Sequence, residues 1–85
     1  MENVKILVLI NNQILISQIE EVGADIGEPD CKLIEPFVLD TNNETLTPWL
    51  VNVTNQNTFM INSDKIITIS DPKPTLVEKY QNLIK

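Results

Sequence analysis

The stretch Thr58–Ser70, TFMINSDKIITIS, constrains this chain more than any other. Two short apolar segments, Phe59–Ile61 and Ile66–Ile69, flank Asn62-Ser63-Asp64-Lys65. Asn, Ser and Asp favour a turn there because their side chains bond nearby backbone, and Asn and Asp tolerate positive φ. A two-strand unit of this size is not stable by itself in water. It must either close a barrel within the chain or pair with a strand of a neighbouring copy.

Composition narrows the choice. The 85 residues form one small domain, and a domain of this size buries only about 60% of the surface its unfolded chain exposes. Cys31 is the only cysteine and histidine is absent, so neither an internal disulfide nor a tetrahedral zinc set can staple the fold. Oligomerisation is the expected source of added stability. No Ser/His/Asp set exists without histidine, and no glycine-rich phosphate loop is present. The chain is therefore expected not to be an enzyme and to carry no cofactor and no metal.

Twelve acidic residues against six lysines, with no arginine, give a net charge of −6. Arginine supplies the planar fork that grips phosphate in two places, and the six lysines are scattered rather than clustered. Non-specific polyanion binding is not expected from such a chain. No long apolar run marks a membrane span, and Met1-Glu2-Asn3-Val4 lacks the basic start of a secretion signal. The expected setting is soluble, reducing and cytoplasmic, without a membrane.

Val4–Ile10, VKILVLI, reads as a strand that is apolar on both faces. Asn11-Asn12-Gln13 reads as a tight turn. Ile14–Val22 reads as a longer strand that starts apolar on both faces and fades to Gln18, Glu20 and Glu21, as a strand does when it bends around a small barrel. Gly23–Asp30, GADIGEPD, is a loop. Cys31–Leu39 is a third strand, with Pro36 marking a bulge or edge position because it cannot donate to a ladder. Asp40–Thr47 is turn-like, and Pro48–Thr54, PWLVNVT, reads as a fourth strand. After Asp71-Pro72-Lys73-Pro74, helical spacing over Thr75–Ile84 puts Leu76, Val77, Tyr80, Leu83 and Ile84 on one face. A helix this short must lie on the barrel or on a neighbour.

Two segments carry a family resemblance. Val8–Ile19, VLINNQILISQI, resembles the first motif of Sm-like proteins (the Sm, LSm and Hfq group), where a turn of the Asn-Gly type joins two strands. Ile61–Ile69, INSDKIITI, resembles their second motif, with Asn62-Ser63 where the family has Arg-Gly. Asn12 stands where glycine is common, and Ser17 where a small glycine permits a sharp bend. The resemblance implies an all-β, SH3-type, strongly bent five-stranded antiparallel barrel over residues 1–70, followed by a linker and C-terminal α-helix over 71–85. A divergent, acidic member of this kind suits a phage genome, which would place it in the cytoplasm of the host. Other small barrels, SH3-like or OB, are the competing folds.

The resemblance also implies partners. In Sm-like rings the fourth strand of one subunit pairs with the fifth of the next, leaving no exposed edge. Thr58, Phe59, Met60, Ile61, Ile66, Ile67, Thr68 and Ile69 would then form the interface of a homo-oligomeric ring of about five to seven subunits. Asn62, Ser63, Asp64 and Lys65 occupy the place of the second RNA-contacting loop, which implies single-stranded RNA as a ligand. The alternatives are a plain strand-joining turn at those four residues and a protein–protein assembly element without nucleic acid. Trp49, Phe59 and Tyr80 offer stacking faces for bases, but each sits in an apolar periodic run and reads better as core. Glu20, Glu21, Asp25, Glu28 and Asp30 read as solvated loop charge, and Cys31 as a buried structural thiol.

Overall fold

The computed structural model describes residues 3–85. Its elements are β1 (Val4–Leu9), β2 (Ile14–Glu21), β3 (Cys31–Asp40), β4 (Thr45–Pro48), β5 (Thr58–Ile61), β6 (Ile66–Ser70) and α1 (Pro74–Ile84), with a one-turn 3₁₀ helix over Ser63–Lys65 between β5 and β6. All strand pairings are antiparallel. The sheet runs β4-β3-β2-β1-β6, and β5 joins β3 beside β4. Long β3 therefore carries two short strands on one edge: β4 along Phe37–Asp40 and β5 along Cys31–Ile34. β5 and β6 do not pair with each other, so the sheet is open.

The β1–β2 connection follows from its asparagines. Asn12 adopts φ 68, its N–H donates to the Leu9 carbonyl at 2.9 Å, and the Leu9 N–H donates to Gln13 at 3.0 Å. A three-residue hairpin loop closes on one left-handed residue, a conformation asparagine accepts more readily than most side chains.

Both faces of β1 are buried, for a reason inside the chain. On one face Val4, Ile16 and Phe37 pack with Tyr80 of α1, and Ile6, Leu46, Leu76 and Ile84 surround them. On the other, Leu7, Leu9, Leu15 and Leu33 form a second core that takes in Ile19, Val38, Trp49, Ile61 and Ile66. One apolar face of β1 is thus covered by the chain's own helix. Tyr80 is fully buried, and its ring meets Phe37 edge-on at 5.6 Å, a favoured aromatic geometry.

The sheet bends where β2 and β3 slip register, between Ile16 and Gln18. Ser17 is fully buried there, and its hydroxyl lies 2.8 Å from the Gln18 carbonyl and 3.1 Å from that of Ile34. Opposite it, Glu35 is held at φ 54, and buried Pro36 leaves the ladder, as its missing N–H requires. The bulge expected at Pro36 is present.

Four expectations are corrected. Among the described residues there are six strands rather than five. The fourth forms at Thr45–Pro48, inside the stretch read as a turn, while residues 49–53 form turns instead of the strand expected over Pro48–Thr54. Leu50 takes φ 60, and the N–H groups of Val53 and Thr54 both donate to its carbonyl, which rules out an extended run. Leu83 is half exposed rather than on the packed face of α1, and Ile10 lies outside β1 and is exposed.

Candidate functional site

The four residues Asn62–Lys65 form a hydrogen-bonded corner between β5 and β6. Asn62 is extended, with φ −77 and ψ 133, and the 3₁₀ turn starts at Ser63. The Lys65 N–H returns to the Asn62 carbonyl at 3.0 Å, and the Lys65 carbonyl accepts from Ile10 N–H at 3.0 Å. The Asn62 side chain does not cap the turn. Asp30, arriving from the β2–β3 loop, does so instead. Its two carboxylate oxygens accept from the Ser63 N–H and the Ser63 hydroxyl, each at 2.8 Å.

Of the five carboxylates read as solvated, Asp30 is therefore the exception. The Ser63 N–H, and after it the Ser63 hydroxyl, hold its carboxyl below the usual aspartate range, because both hydrogen bonds favour the charged form. Sequence reading missed this link. An Asp directly before a strand and a Ser within a turn were each visible, but nothing local joins residues 33 positions apart.

The two loops enclose a hollow of about 230 Å³ lined by Gly27, Glu28, Asp30, Asn62, Ser63 and Asp64. Three carboxylates face it, and Lys65 is not part of its lining. Among the described residues, no three acidic, cysteine or histidine side chains come together as a metal-binding group. A phosphodiester entering the hollow meets only like charge, without the counter-charge that phosphate contacts use.

The eight residues expected at an interface lie on two strand edges. Among the described residues, β6 is the last strand of the sheet and bonds only to β1. Ile67 is 60% and Ile69 52% exposed, and only Ile66 is drawn into a core. β5 bonds only to β3, and Met60 on it is 50% exposed. Phe59 packs on Trp49 with ring centres 5.4 Å apart, and Ile61 packs against the second core. Thr58 is half-buried and Thr68 exposed. Both strands thus present an unpaired backbone edge.

The stacking candidates sort as core. Tyr80 is fully buried, and Trp49 packs against the second core. Cys31 is buried as well, and burial, followed by the nearby charges of Asp30 and Glu21, pushes its thiol above the ordinary cysteine range. That is the opposite of what activates a nucleophile.

These features define a β-rich antiparallel domain with a C-terminal helix laid on one sheet face and two apolar strand edges left open. Over residues 2–85 the chain matches a family of unknown function, DUF6561, and it belongs to that family. No curated protein matches it. No helix among the described residues is long and apolar enough to cross a membrane.

Proposed function

We propose that the chain is a self-assembling, Sm-like scaffold module whose copies join β5 of one to β6 of the next in a closed ring. The observation that carries this reading is the edge of β6, where five backbone positions lack a second partner strand beside two exposed isoleucines. Unprotected edges of this kind pair with other chains, and proteins that remain single usually blunt them with charge, proline or a covering element. β6 has none of these. In the Sm-like reading β5 and β6 would take the parts of the fourth and fifth strands, which pair between subunits. Two different edges make a heterologous contact, which closes when the rotation per copy allows.

Within this proposal the partner is protein rather than RNA. Glu28, Asp30 and Asp64 surround the corner that would contact nucleotides, and the chain's net charge of −6 adds to the repulsion. Light scattering at about 10 µM protein (well inside the range of specific affinities) tests the assembly, and a monomer mass there removes it. Titration with short U-rich and A-rich strands at low salt tests the partner. Salt-sensitive binding that disappears in Lys65→Glu would restore RNA as the ligand.

A further inference from the structure

The bend of β3 brings a carboxylate to two aromatic rings. The Glu35 N–H donates to the Asn57 carbonyl at 2.7 Å, and the Trp49 N–H donates to the neighbouring Pro36 carbonyl at 2.9 Å. The Glu35 carbonyl accepts from the Tyr80 hydroxyl at 2.8 Å. Phe59 pairs with Leu33 in the ladder just before the bend. Backbone hydrogen bonds thus tie Glu35 and Trp49 to one place, and Phe59 packs on Trp49 with ring centres 5.4 Å apart.

A hollow of about 360 Å³ opens there, and Glu35, Trp49, Phe59 and Asn57 line it together with Pro36 and Pro48. Glu35 is the only charged residue in its lining. Glu35, Trp49 and Phe59 are each half-buried. The carboxylate makes one long contact, 3.4 Å from the Asn57 amide, and no ion pair among the described residues. The bend does not by itself call for glutamate, because glycine takes φ 54 at less cost. What glycine would lack is a negative charge beside the rings.

A carboxylate and aromatic faces in one hollow favour a cation, since the ring faces attract positive charge as well. Among protein cations the guanidinium fits best. It is planar, stacks on aromatic rings and forks onto a carboxylate, and its weaker hydration makes an apolar wall less costly to it than to an ammonium. The chain contains no arginine, so a second copy cannot supply one. We infer that the hollow receives an arginine side chain from a segment of another protein, with its guanidinium on the Glu35 carboxylate and against Trp49 and Phe59. The net charge of −6 adds a longer-range attraction for a basic segment. The contact does not depend on the strand-edge pairing proposed above.

Trp49 is the only tryptophan, so its fluorescence reads the hollow directly. The probes are a blocked Ala-Ala-Arg-Ala-Ala peptide, the same peptide with lysine or citrulline at its centre, and free arginine. The arginine peptide should give a saturable change with a Kd of about 1 to 10 mM, the weak end of measurable affinity. Citrulline keeps the shape and removes the charge, so its peptide should bind at least about tenfold more weakly. Glu35→Gln should weaken the arginine peptide about threefold to tenfold, and Phe59→Leu about twofold to fivefold. Far-UV circular dichroism checks that both variants fold. A citrulline or lysine peptide bound as tightly as the arginine one overturns the inference. So does unchanged affinity in Glu35→Gln, or no saturable change at about 50 mM arginine peptide. Free arginine bound more tightly than the peptide would make the ligand a small molecule and overturn the protein partner.

Discussion

The Tyr80 hydroxyl donates to the carbonyl of Glu35 at 2.8 Å, with the Ile34 carbonyl 3.1 Å away. One side chain of the C-terminal helix thus satisfies the backbone at the bend of β3, where Glu35 takes φ 54 and leaves ladder geometry. The ring below the hydroxyl packs with Val4, Ile16 and Phe37. Helix and sheet are joined by packing and by a hydrogen bond at the same residue.

Tyr80→Phe keeps the packing and removes the donor. It should cost about 1–3 kcal/mol, the range for leaving a buried carbonyl unpaired. Tyr80→Ala removes the ring as well and should cost about 3–5 kcal/mol, a large share of the stability of a domain this small. Urea unfolding followed by circular dichroism measures both. Equal costs for the two variants would mean that the hydroxyl contributes nothing.

Glu35 itself gives a backbone prediction. Left-handed φ at a non-glycine residue costs of order 1 kcal/mol, and the Glu35 side chain makes only a 3.4 Å contact with Asn57. Glu35→Gly should therefore be neutral or slightly stabilising, while Glu35→Val should destabilise by about 1–2 kcal/mol, since a branched Cβ fits this conformation worst. Thermal melts of the two variants should move in opposite directions or differ clearly in size.

Much of this architecture was legible in local pattern. The apolar runs marked β1, β2, β3, β5 and β6, the proline pair and helical spacing marked α1, and Pro36 marked the bend. What was not legible depended on partners distant in sequence. Thr45–Pro48 has little strand character, but Phe37–Asp40 offers it an open edge and it pairs there. Pro48–Thr54 has the better strand composition, yet the Trp49 N–H is drawn to the Pro36 carbonyl at 2.9 Å and the chain turns at Leu50. The corner at Asn62–Lys65 was located correctly, but its capping by Asp30 was invisible, because a hydrogen bond across 33 residues has no local signature. The apolar second face of β1 was visible, but not that the chain's own helix covers it, because the sequence does not say where the helix lies.

The Asp30–Ser63 contact sets a pH dependence. The folded-state carboxyl is held below its unfolded value, chiefly by the Ser63 N–H. The contact therefore stabilises the fold above the unfolded aspartate value of about 3.9, and that contribution is lost as pH falls through the lower folded value. Ser63→Ala removes the weaker of the two bonds and keeps the N–H. The Asp30 titration, followed by carboxyl NMR, should shift part of the way back upward. No shift would mean that the hydroxyl is not bonded in solution.

Cys31 should react slowly with thiol reagents. Its side chain is buried at the first residue of β3, and desolvation with the nearby carboxylates keeps the thiol protonated. Since the thiolate is the reactive form, modification near pH 8 should be at least about tenfold slower than in urea-unfolded protein, and should track opening of the β3–β5 pair. Labelling at the unfolded rate would place the thiol on the surface.

The β6 edge yields the most direct test of assembly. Ile69 pairs with Leu7 across the ladder, yet it is half exposed, whereas Leu7 is fully buried. The isoleucine is thus on the sheet but outside the core, where a charge costs the single copy little. Ile69→Lys should leave the melting temperature of the isolated chain within a few degrees, as surface substitutions do. In an assembled state the same lysine would stand at a strand–strand contact, and charge on an edge is how proteins block such pairing. Association measured by light scattering over a dilution series should weaken by about tenfold to a hundredfold. If the fold melts early, Ile69→Thr keeps a β-branched residue of good strand propensity and should give a smaller loss of the same sign. Unchanged association in both variants would mean that β6 is not the edge through which copies meet.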